Sequence, residues 1–86
     1  MEHRDIVAML NYPDRHLVLH AVERANLTSQ EWECIRLREY AGETIEQAAE
    51  ELLCSPRTIK RRYGEGMRKL DKCWSGIPWV NSIVRS

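Results

Sequence analysis

The chain of 86 residues has no phenylalanine, no net charge and no apolar run approaching membrane-spanning length. Each absence narrows what it can be. A helix that crosses a bilayer needs about 20 consecutive apolar residues, so no membrane partner is expected. The three cysteines, Cys34, Cys54 and Cys73, are odd in number and show no Cys-x-x-Cys spacing. That argues against a disulfide framework or a cysteine-bound zinc, and free thiols are the simplest state. Charges interrupt the opening MEHRDIV, where a secretory leader would be apolar, so the expected location is cytoplasmic. There is no phosphate-cradling glycine loop, no nucleophile–base pairing and no metal quartet, so neither an enzyme nor a cofactor is expected. His16 and His20 are four residues apart and could share a metal ion, but no third ligand is placed beside them. No metal site is assigned. A chain this short, without repeats or low-complexity tracts, is expected to form one domain with a marginal core.

Zero net charge argues at first against a nucleic-acid partner. Its distribution reverses that reading. Residues 1–56 carry a net charge of −6, residues 57–72 carry +5, and only Arg85 adds a charge beyond them. An acidic body bearing one basic segment is a focused electrostatic footprint, which suits a polyanion better than a uniformly solvated surface does.

The basic segment lies in the stretch from Thr44 to Leu70, which reads as two helices joined by a tight corner. Thr44 and Gln47 have capping-box spacing, and Ile45, Ala48, Ala49 and Leu52 follow on one helical face. Cys54 ends that pattern. Ser55 and Pro56 restart it, as an N-cap residue followed by a proline tolerated at the first helical position. Ile59, Tyr63, Met67 and Leu70 form the apolar stripe of the second helix, while Arg57, Lys60, Arg61 and Arg68 fall opposite. A short helix, a corner and a basic amphipathic helix make a helix-turn-helix, whose second helix enters the major groove of DNA. Ala49 is where the two helices must meet closely. Gly64 and Gly66 are costly inside a helix, at about 1 kcal/mol each relative to alanine. They predict a close approach to a neighbouring helix or to DNA, or else a kink.

Upstream, residues 28–41 predict a helix opened by a Thr28–Glu31 capping box and ended by Gly42 as a left-handed cap. Trp32 is assigned to packing, because it is far along the chain from the basic cluster. Residues 2–10 and 14–25 predict two further helices, separated by Pro13. Residues 71–86 form an apolar tail with Trp74, Ile77, Trp79 and Val80. It is expected to fold back on residues 6–22, since a small domain needs every apolar contact. Left uncovered, it would serve a homodimer or another protein partner. The expected architecture is all-α with four to five helices.

From Leu27 to Leu70 the chain resembles region 4 of the sigma-70 superfamily, especially the extracytoplasmic-function branch, and more distantly the LuxR-type helix-turn-helix. LTSQE at 27–31 is similar to the opening of that domain, and Leu37-Arg38 to its Leu-Arg pair. Gly42-x-Thr44 is similar to its corner. Ala48-Ala49, Ser55-x-x-Thr58-Ile59-Lys60, Arg62 and Arg68-Lys69-Leu70 continue the likeness without a gap. The resemblance implies three parts: an N-terminal extension at 1–26, the core at 27–70 and the tail at 71–86. It also implies a sequence-specific binder of double-stranded DNA in transcription regulation, of bacterial or prophage origin, with helix 56–70 in the major groove. RNA polymerase is a further partner it implies. Ser55 would hold a phosphate at the helix start, Arg57, Thr58 and Arg61 would reach base edges, and Lys60, Arg62 and Arg68 would meet phosphates. Glu65 would weaken binding slightly. The alternatives are a protein-binding module of the same fold, or a small phage-type packaging or recombination protein. Twenty-six residues before Leu27 are too few for a promoter-melting domain, so this stretch is not expected to open DNA by itself.

Overall fold

In the computed structural model, residues 1–85 are described, and all regular structure among them is helical: α1 (His3–Leu10), α2 (Arg15–Arg24), α3 (Ser29–Glu39), α4 (Ile45–Glu51), α5 (Pro56–Trp74) and α6 (Pro78–Arg85). The fold is all-α and contains a helix-turn-helix, as expected, but with six described helices rather than four or five. The sixth is the tail, whose residues 78–85 form a helix of their own. A second difference is the length of α5. It does not stop at Leu70 but runs on through Cys73 and Trp74, because no helix breaker comes before Ser75-Gly76 and Trp74 is fully buried.

The helices fall into two compact units. The first contains residues 1–27 and the chain from Met67 onward, including the C-terminal part of α5. Asp14 caps α2 by accepting from the backbone N–H groups of His16 and Leu17 at 3.1 and 3.2 Å, satisfying donors that a helix start leaves open. Helix α1 packs on α6, so the tail folds back onto the N-terminal extension. The Trp74 indole N–H donates to the Ala21 carbonyl at 2.9 Å, giving the large buried ring a satisfied polar edge. The Asn81 side-chain amide caps the end of α5, donating to the carbonyls of Trp74, Ser75 and Ile77 at 2.9–3.2 Å. His20 stacks on Trp79, with ring centroids 6.3 Å apart.

The second unit covers Thr28–Gly66 and holds the helix-turn-helix. Both predicted capping boxes form. Glu31 N–H donates to Thr28 Oγ1 while Thr28 N–H donates to the Glu31 carboxylate. Gln47 and Thr44 exchange the same pair of bonds at the start of α4. Gly42 turns the chain after α3 with φ +67°, a region open to glycine at no steric cost. Cys34, Leu37, Ala48, Ala49 and Ile59 make the buried core, with Ile45, Leu52, Cys54 and Tyr63 packed against it. The apolar faces read from helical spacing therefore meet one another. Cys34, Cys54 and Cys73 are free, and burial pushes the Cys34 thiol above its ordinary range.

Candidate nucleic-acid interface

The corner between α4 and α5 is built from four residues. Leu52 ends α4, and Leu53 adopts φ +54°. The Cys54 N–H then donates to the Ala49 carbonyl at 3.0 Å, and Cys54 packs back on the core. This is a Schellman-type ending with leucine in the position that glycine usually takes. A left-handed conformation costs a side-chain-bearing residue about 1–2 kcal/mol. Burial offsets none of it, because Leu53 is 92% exposed. Nothing in the sequence pattern singled out this residue, since its φ is imposed by the corner and not by its own preference.

Ser55 then caps α5. Its Oγ accepts from the Thr58 backbone N–H at 3.1 Å and lies 3.0 Å from Thr58 Oγ1. Both hydroxyls expected at the interface are thus engaged with each other at the helix start. Pro56 has no N–H and the Ile59 N–H donates to the Ser55 carbonyl at 3.2 Å, so the open donor of the first turn is the Arg57 N–H.

Beyond the cap the expected site residues divide into two sets. Arg57, Lys60 and Arg61 are exposed on one face of α5, and no described carboxylate forms an ion pair with them. Arg68 is exposed further along the same helix. Arg62 departs from this set. It is half-buried on the flank of α5, in a groove lined also by Ser29, Gln30, Glu33 and Leu52, and its charge reaches the Cys34 thiol. The likeness of sequence placed Arg62 beside the others; helical rotation of about 100° per residue turns it away from Arg61. Thr58 is half-buried beside the Ser55 cap.

Two further residues shape this face. The Tyr63 hydroxyl donates to the Glu39 carboxylate, tying α5 to the end of α3. Burial first, and then that bond and the charge of Glu39, hold the Tyr63 phenol well above its ordinary range. Gly66 is buried against α3. A Cβ there would lie 2.7 Å from Ile35 Cδ1 and 3.4 Å from Glu31 Cβ, so the missing side chain is what lets the two helices close. Helix α5 is continuous through both glycines.

Away from α5 the surface is acidic. Glu43, Gln47, Glu50 and Glu51 line a groove with Ala41 and Gly42. Desolvation, and then the neighbouring Glu51, raises the Glu43 carboxyl above the usual carboxylate range. The charge asymmetry read from the sequence is therefore present in space within this unit: an acidic corner at α4 and a basic exposed face on α5.

Comparison with known proteins gives this arrangement a family. The model of "Sigma-70, region 4" matches residues 25–72. An ECF RNA polymerase sigma factor, SigK of Mycolicibacterium vanbaalenii, is 44% identical over 48 residues, which are 56% of this chain and 24% of that protein. The match thus spans about a quarter of the relative's length. No solved structure matches the chain.

Proposed function

The chain belongs to the sigma-70 region 4 family, and from that premise we propose that it binds double-stranded DNA in a sequence-specific way, with α5 in the major groove. The observation that carries this reading is the exposed face of Arg57, Lys60 and Arg61 on an otherwise acidic unit. Free cations on the second helix of a helix-turn-helix are where phosphates and base edges are met. Arg57 and Arg61 are the base-reading residues, because a guanidinium can donate two parallel bonds to guanine O6 and N7. Lys60 and Arg68 meet phosphates. Arg62 takes a phosphate role from the flank, beside Ser29 and Gln30 at the start of α3. Ser55 serves the interface through the helix start it holds open rather than through its own hydroxyl. The fold and the family are those of a transcription component, and no catalytic role is assigned.

RNA polymerase is the second proposed partner, since the matched relative is named as an RNA polymerase sigma factor. The bound element would then resemble the upstream element of a promoter. A protein-binding module without DNA contact is the rival reading, and the 92% exposed Leu53 at the corner is the observation in its favour. Selection of bound duplexes from a random pool separates the two. Enrichment of a common motif, lost on reversing the charges of Arg57 and Arg61, supports DNA reading. Recovery of no duplex, with a nuclease-resistant complex with polymerase, supports the rival.

A further inference from the structure

Two glycines in one helix need two explanations, and the structure supplies only one from within the protein. Gly66 is required by the close approach of Ile35. Gly64 is not. It is exposed, and a Cβ built on it meets nothing within 4 Å. Its φ is not positive either, so no turn or cap requires it. By the physics of the isolated fold, alanine would be the better residue there, because glycine inside a helix is entropically costly.

The position of Gly64 suggests what the cost serves. It lies three residues after Arg61, four after Lys60 and seven after Arg57, so helical spacing puts all four on one face. Summed at about 100° per residue, Gly64 falls close to the midline of the three cations. It is the bare strip of backbone at the centre of the basic face. The major groove is about 12 Å wide, and a helix with its side chains is about 10–12 Å across, so the fit is tight. A side chain on the midline would meet the groove floor before the flanking arginines did. We infer that Gly64 is the point of closest approach between α5 and DNA, where the uncovered backbone seats against base edges and lets Arg57 and Arg61 reach bases on either side. This rests on the DNA-binding reading above and adds to it a residue that makes its contribution by lacking a side chain.

The test uses the whole chain and the duplex selected by the wild-type protein, with Gly64→Ala and Gly64→Leu compared in melting and in binding. Both variants are expected to fold. Gly64→Ala should melt about 4–8 °C higher, because helix propensity improves and nothing is displaced. Binding should fall in the order glycine, alanine, leucine, with Gly64→Leu weaker by about tenfold or more. A more stable protein that binds less well is the signature. If Gly64→Leu binds within twofold of wild type, the close approach does not exist and the inference is overturned, while DNA binding itself stands. If the wild-type protein binds no selected duplex, the functional reading fails first and takes this inference with it.

Discussion

The Tyr63 hydroxyl donates to the Glu39 carboxylate across 24 positions of sequence, joining α5 to the end of α3. Tyr63→Phe should cost about 1 kcal/mol, less than a buried charged hydrogen bond, because both partners are only half-buried. The pH dependence has a definite sign. A phenol whose folded pKa is raised contributes stability that is fully present below the ordinary phenol range and is lost as pH rises through the raised value. Denaturant melts at neutral pH should therefore separate the two proteins. The tyrosinate absorbance that Tyr63→Phe removes should develop only above the ordinary range of about 10.

Ala49 and Ile59 share the buried core at the corner. Ala49→Leu should overpack it and cost about 1–3 kcal/mol, a large share of a small domain's stability. Ala41→Leu, at an exposed position after α3, should be much milder. Thermal melts of the two variants would check this, and an Ala49→Leu protein that melts like wild type would refute the packing described for the corner.

Binding to duplex DNA should depend steeply on salt. If four or five cations of α5 replace counterions on phosphates, the slope of log affinity against log salt should be about −4. Titrations at three salt concentrations would measure it. An affinity that stays flat up to physiological salt would count against a phosphate-bound helix.

Arg61 and Lys60 should part company on substitution. Arg61→Ala is expected to lose about 1–3 kcal/mol on the selected site and to relax preference at one or two base positions. Lys60→Ala should weaken selected and random duplexes alike, by removing one phosphate contact. Competition binding with both duplexes reads the difference, and equal losses for Arg61→Ala would remove it from base reading.

The local events of this fold were legible in the residues. Thr28 with Glu31, Thr44 with Gln47, and Ser55 with Thr58 each lie three residues apart, so the bonds that start the helices depend on almost nothing beyond their own turn. The apolar faces of α4 and α5 were equally plain, because a helix repeats every 3.6 residues whatever it packs against. Charge segregation followed from the order of the charged residues along the chain. Other features depended on residues far apart in sequence, and there spacing gave no answer or a different one. Arg62 stands in the family's pattern beside Lys60, yet it lies in a groove with Ser29 and Gln30, which approach it only through the fold. Leu53 is left-handed because the corner between two packed helices demands it.

What the sequence by itself determined is the helices of the helix-turn-helix and the one before them, the caps at their starts and the face on which cations gather, since these are consequences of bonds and periodicities within a few residues. Only the tertiary structure decided what each unusual residue is for. It assigned Trp74 to a buried bond with Ala21, over 53 positions of sequence. It also separated two glycines that look alike on paper. Gly66 lies where Ile35 leaves no space for a methyl group, and Gly64 lies where nothing in the protein comes near. The physical reason is steric: whether a missing side chain is needed depends on the distance to the next atom, and that distance is set by how the chain folds.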